Sequence, residues 1–224
     1  AIAGTLVLMA RKSPEVDAAV LSALDEAKAP ERGDGIRIGL RHSDVSRIAD
    51  RLRHLSVTAQ PATRAAAADI LSFQGLKSQA RPADLFGDED PRLRCIAYET
   101  AARLGGPWSA DELGVALADE RPRVRRTALE TSARLGMPGL AAICRKVATR
   151  RPVVPEAVVF LGLLGNAEDL PLFDSAAAQQ SDLILAGAAL EGLGVMGSVL
   201  AIPRLLKAME SGPVAAAAGA AFIR

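Results

Sequence analysis

The chain has 224 residues, half of them apolar but only 3% aromatic, with a formal net charge of +1. So small an excess of charge supplies no long-range field that would draw the chain to nucleic acid or to an anionic membrane. Ala, Leu and Val do most of the burying, which suits helices whose axes approach closely, and Cys95 and Cys144 form no CxxC and read as inert thiols of a reducing compartment.

Residues 1–10 form an apolar run followed by Arg11 and Lys12. A signal peptide carries its basic residues before the run, and this run is too short to span a bilayer, so it reads as a buried helix. Residues 1–12 and 14–28 make a first helix pair. Ser13 is the expected N-cap of the second helix, with Pro14 at its first position and Val16, Val20, Leu21 and Leu24 on its apolar face. Residues 30–35 read as a turn and 36–41 as a short, distorted helix. The next helix starts at Ser43-Asp44 and turns Val45, Ile48, Leu52 and Leu55 inward.

Gln60-Pro61 opens an Ala-rich helix over 62–74, stopped by Gly75, and 82–86 gives a partner of about one and a half turns. Residues 91–104 follow the i, i+3, i+4, i+7 pattern of a buried face through Leu93, Ile96, Ala97, Thr100, Ala101 and Leu104. Gly105 is the expected left-handed cap. The partner, 108–118, carries a capping box at Ser109 and Glu112. Helices over 122–135, 138–149, 152–164, 167–179, 181–193 and 198–210 follow, and Gly212-Pro213 opens a last one.

Two stretches are near copies: DEDPRLRCIAYETAARLG from Asp88 and DERPRVRRTALETSARLG from Asp119. Roughly two-thirds of the paired positions are identical, about 31 residues apart, and Gly75, Gly105, Gly136, Gly165 and Gly194 punctuate the chain every 29 to 31 residues or so. Short loops make consecutive helices antiparallel neighbours. The expected fold is all-α, a solenoid of roughly seven stacked hairpins in one domain over 1–224, less regular over 1–56. Both ends read as repeat interior, so a fragment of a slightly longer chain is expected.

These units resemble the HEAT-repeat superfamily, in particular its short bacterial form, the PBS-lyase HEAT-like repeats. The resemblance rests on Asp88, Pro91, Arg94, Leu104 and Gly105, and on Asp119, Pro122, Val124, Arg125, Leu135 and Gly136. It implies HEAT-like repeats over 57–224 and a ladder in which Asp88 and Asp119 bond backbone amides at helix starts or meet Arg94 and Arg125. The ladder charges are expected to vanish downstream of Gly136, where Pro152-Val153-Val154-Pro155 lacks the Arg. The order of elements is also similar to an uncharacterised bacterial HEAT-repeat family often encoded beside type VI secretion components. That likeness implies a bacterial cytoplasmic adaptor or accessory protein and brings no established activity with it; the chain is expected not to be an enzyme.

No Walker, HExxH, GxSxG or dinucleotide glycine pattern occurs, so neither cofactor nor catalytic residue is assigned. His42 and His54 read as surface histidines, and Cys144 as core beside Leu140, Ile143 and Val147. Cys95, aligned with Arg126, reads as near the surface. Glu99 and Glu130, at equivalent repeat positions, read as structural or solvated. The strongest asymmetry is basic: Arg37, Arg41, Arg47, Arg51 and Arg53 lie close together, either as a solvated face or as a patch for an acidic partner or nucleic acid. Trp108, after Gly105-Gly106-Pro107, either plugs a gap between hairpins or stands as an exposed anchor. The expected function is a protein–protein scaffold binding through the second helices, with Arg47, Arg51, Arg53 and Trp108 as candidate contacts. The alternative is a nucleic-acid binder using the Arg37–Arg53 cluster. No membrane partner and no small-molecule substrate are expected.

Overall fold

The structure, a computed structural model, describes residues 1–27, 30–79, 81–106, 108–150, 152–179, 181–210 and 212–223. Lys28, the expected end of the second helix, and Pro107, ahead of Trp108, lie outside the described residues, as does Arg224. Among the described residues every regular element is a helix. The chain forms two compact units, 1–112 and 113–224.

The first unit holds α1 (Ile2–Ala10), α2 (Pro14–Asp25), α3 (Pro30–Arg41), α4 (Ala49–Thr58), α5 (Pro61–Phe73) and α6 (Pro91–Leu104). In it α1 packs on α3, α3 on α5, and α5 on α6, while α2, α4 and the 3₁₀ turn Pro82–Leu85 return alongside them. Leu24, Leu40, Ile48, Leu52, Ile70 and Leu71 form its core. Helix α7 (Ala110–Leu117) carries the boundary between the units, and its capping box is present: Glu112 N–H donates to Ser109 Oγ at 3.2 Å and Ser109 N–H to the Glu112 carboxylate at 2.7 Å.

Three N-terminal expectations are corrected. Residues 1–10 do form a helix, but not a buried one: only Thr5 and Met9 of α1 are buried, while Ile2, Leu6, Val7 and Leu8 are exposed, because α1 packs on α3 and α2 along one side only. Residues 30–35 are not a turn; α3 is one continuous helix from Pro30. Its glycines serve close packing: a Cβ at Gly39 would lie 2.6 Å from Thr5 Cβ, so α1 can sit against α3 only because that side chain is missing. Ser13 precedes α2 in extended backbone but makes no side-chain cap bond; its hydroxyl donates to Glu15 instead.

The second unit holds α8 (Pro122–Arg134), α9 (Leu140–Thr149), α10 (Pro155–Leu164), α11 (Leu170–Ala177), α12 (Leu183–Met196), α13 (Ile202–Met209) and α14 (Ala215–Phe222). Helices α8, α10, α12 and α14 contact one another in that order, and α9, α11 and α13 pack against α10, α12 and α14 respectively. Phe173, Leu161, Leu185, Leu190 and Leu193 are fully buried.

The glycine punctuation holds as a helix stop at four of five positions. Gly75, Gly105 and Gly136 are left-handed, with φ of +67°, +63° and +62°. Gly165 follows α10 in extended backbone, where a Cβ would crowd Leu161 O and Asp169. Gly194 is no stop at all: α12 continues to Met196 and ends at the left-handed Gly197. A Cβ at Gly194 would collide with the Ala221 carbonyl of α14, and one at Gly162 of α10 with the Gly192 carbonyl of α12. These glycines set interhelix distance rather than helix length.

Candidate functional site

In the first unit the charged residues converge on Asp69, the one acidic residue of the Ala-rich α5. Its side chain is 0% exposed. Arg37 Nη1 donates to Asp69 Oδ2 at 2.6 Å and Arg41 Nε to the same oxygen at 2.7 Å. Arg41 Nη2 and Arg103 Nη1 donate to Oδ1, both at 2.6 Å. A fully buried carboxylate with four charge-assisted donors is satisfied as few buried charges are. Burial alone pushes the Asp69 carboxyl up; the Arg41 hydrogen bonds and the charges of Arg37, Arg41 and Arg103 outweigh it and hold the group below 3.8, its ordinary value. Glu99 accepts from Arg41 and Arg103 at 3.2 Å each, a structural role shared across helices. Both guanidiniums also lie over the Phe73 ring, at 5.1 and 5.7 Å, and the edge of exposed His42 meets that ring at 5.2 Å.

The expected basic patch is thereby divided. Arg37 and Arg41 hold Asp69, Arg47 donates to Asp17 at 2.9 Å, and Arg53 donates to Lys77 O at 3.1 Å and to Asp50. Arg51 lies on the exposed side of α4, near Asp25, Asp50 and His54. Trp108 is half-buried, with its ring edge-on to Phe86 at 5.3 Å and to Tyr98 at 5.1 Å. The aromatic trio closes the bottom of the 3₁₀ turn onto α6.

At the repeat turns, Asp88 accepts from Asp90 N at 2.9 Å and Asp119 from Arg121 N at 2.8 Å, each two residues on, as in an Asx turn. The N-cap of α6 is Asp90, accepting from Arg92 N at 2.9 Å. Arg94 Nη1 donates to Asp88 O at 2.6 Å, and Arg125 Nη1 to Asp119 O at 2.8 Å. Each arginine thus ties the turn before its helix. Arg125 also grips Glu156 of α10 through Nε at 2.8 Å and Nη2 at 2.9 Å.

Downstream of Gly136 the charges do not vanish; they move to the returning helices. Arg145 of α9 holds Asp169 through two bonds, at 2.6 and 2.9 Å, and Arg204 of α13 holds Asp174 of α11 at 2.7 Å. Here the Arg145 hydrogen bonds dominate and hold the Asp169 carboxyl below its ordinary value. Cys144 is buried as expected, and burial pushes its thiol up to about 12. Cys95 is also buried, 3% exposed, against the expectation from its alignment with Arg126: a short side chain stays beneath a surface that an arginine at the same register reaches through.

The second unit carries a surface groove of about 440 Å³ along α10, α12 and α14. It is lined by Val159, Phe160, Gly187, Ala188, Ala220 and Ala221 together with the charged Arg126, Glu156 and Glu191. Small side chains on α12 and α14 leave the depth. Leu183 and Ile184 stand at its edge, 52% and 76% exposed. These are first helices of their hairpins, not the second helices expected to bind.

Sequence reasoning missed Asp69. The available signal was a lone carboxylate inside AAAADIL, in a helix buried over almost its whole length from Thr63 to Leu71. Among the described residues no group of three or more His, Cys, Asp or Glu could hold a metal ion, and no helix is long and apolar enough to cross a membrane. Compared with known proteins, the chain matches no protein-family model and no curated sequence.

Proposed function

We propose that the chain is a non-enzymatic HEAT-like α-solenoid that binds another protein in the groove of α10, α12 and α14. The observation that carries this reading is Ile184, three-quarters exposed beside an apolar depression of about 440 Å³. A contiguous apolar patch running into a groove is a feature of interaction surfaces, and Leu183 and Ile184 extend the apolar lining into such a patch. The helix rows of each unit support the solenoid reading, since rows of antiparallel hairpins offer extended binding faces without preformed catalytic geometry. The resemblance to bacterial HEAT repeats makes a cytoplasmic adaptor, of the kind linked to type VI secretion, the biological reading we favour. Nucleic acid is the weaker alternative, because most arginines of the Arg37–Arg53 cluster are already engaged by carboxylates or a carbonyl.

The test is a photo-crosslinking amino acid at position 184, in extracts of the native host. One discrete protein adduct is expected, and it should disappear when Gly187→Trp fills the groove; a Cβ there meets open space, and an unchanged far-UV circular dichroism spectrum checks that the fold survives the larger side chain. An adduct that survives Gly187→Trp, or the absence of any adduct, refutes binding at this groove.

A further inference from the structure

A second cavity lies inside the first unit, between α4, α5, the 3₁₀ turn Pro82–Leu85 and α6, with a volume of about 120 Å³. Two buried polar atoms of its lining, Thr100 Oγ1 and Arg64 Nε, have no hydrogen-bond partner among the described residues. Thr100 is 1% exposed. Buried helical threonines ordinarily donate back to the carbonyl four residues earlier, as Thr127 does to Arg123 O at 2.9 Å. Thr100 does not, and the neighbouring Ser56 hydroxyl is already committed to Arg53 O at 2.7 Å.

The chemistry of the two orphans is one-sided. A guanidinium N–H can only donate, so whatever satisfies Arg64 must accept, and the Thr100 hydroxyl can donate to the same group. Arg81 brings a second positive charge at the mouth, against one carboxylate, Asp84, so the lining keeps a net charge of one positive. Ammonium groups and metal cations are thereby disfavoured. The volume equals about four waters, enough for one compact ion and too little for a sugar or a nucleotide.

We propose that this cavity binds a small oxyanion, with Arg64 Nε and Thr100 Oγ1 as the inner donors and Arg81 as the charge at its entrance. The same donor set fits a tetrahedral phosphate or sulfate and a planar carboxylate. The site is separate from the groove of the second unit and does not depend on it.

The full chain in chloride buffer is titrated with inorganic phosphate, sulfate or acetate at constant ionic strength, following the unfolding midpoint by Trp108 fluorescence. A saturable rise is expected with at least one anion: with phosphate or sulfate if the ligand is tetrahedral, with acetate if it is a carboxylate. Thr100→Val removes the inner hydroxyl without removing a protein–protein bond. Its midpoint in chloride should be unchanged and its apparent affinity roughly tenfold weaker. Arg64→Met should weaken binding at least as much, and Arg81→Gln, at the exposed mouth, less. Flat titrations with all three anions overturn the proposal and leave ordered water as the occupant. Saturable binding that Thr100→Val and Arg64→Met both retain overturns it as well.

Discussion

Replacing Asp69 by Asn tests what holds the first unit together. The carboxylate is fully buried and accepts four bonds from three guanidiniums, each 2.6 or 2.7 Å long. An amide of the same shape keeps one acceptor and turns donor hydrogens toward arginines that can only donate. Counting four charge-assisted bonds at about 1.5–3 kcal/mol each would overstate the loss, because burying the carboxylate already costs several kcal/mol. Breaking a buried pair by removing one partner typically costs about 3–5 kcal/mol. Arg37, Arg41 and Arg103 are 12%, 14% and 20% exposed and can reach some water, which places the expected loss toward the lower end of that range. With a urea slope of about 2 kcal/mol per molar, the midpoint should fall by roughly 1.5–2 M. Trp108 is the only tryptophan and packs within the first unit, so its fluorescence isolates that transition. Arg103→Met should cost less in the Asp69→Asn background than in the parent, since the two residues share a bond. A midpoint shift below about 0.5 M, or fully additive single losses, would refute the network as a keystone. The pH dependence follows in sign. The folded-state carboxyl is depressed, so its contribution is fully present above the ordinary value of 3.8 and is lost as pH falls through the folded value. The Trp108 transition should therefore be flat from pH 7 to about 5 and weaken only below about 4.

Three further outcomes are expected. Gly162→Ala should destabilise the second unit by about 1–3 kcal/mol or more, because the new Cβ meets the Gly192 backbone and α10 and α12 must separate; urea unfolding followed by far-UV circular dichroism reads the loss. Gly187→Ala, mid-helix and facing open space, should stabilise the same unit by up to about 1 kcal/mol by the same measurement. Cys144, with its thiol near 12 and its side chain buried, should resist alkylation at pH 8 in the folded protein and react fully in denaturant, as mass spectrometry of the modified peptide would show.

The sequence by itself determined the helices of the repeat region. Pro at the first helical position, an apolar stripe of period 3.6 and a glycine stop are local signals, and α6, read from them alone, runs from Pro91 to Leu104 as expected. The capping box of α7 and the left-handed Gly105 and Gly136 belong to the same class, because each is fixed by residues within one turn. Where the expectation failed, the deciding contact was distant along the chain. Residues 30–35 read as a turn because glycine and proline break isolated helices, yet Gly35 is where the start of the chain packs against α3, a Cβ there colliding with that of Ala1. Gly194 read as a stop, yet it admits the Ala221 carbonyl of α14.

The charged residues divide the same way. Asp88 and Asp119 bond amides two positions away, which spacing can reveal. Asp69 meets arginines 28 to 34 residues distant, on two other helices, α3 and α6. Nothing local distinguishes Arg37 and Arg41 from the solvated arginines beside them in sequence. Only packing brings a carboxylate within reach of three guanidiniums, because a buried charge is tolerable solely when its partners arrive from elsewhere in the fold.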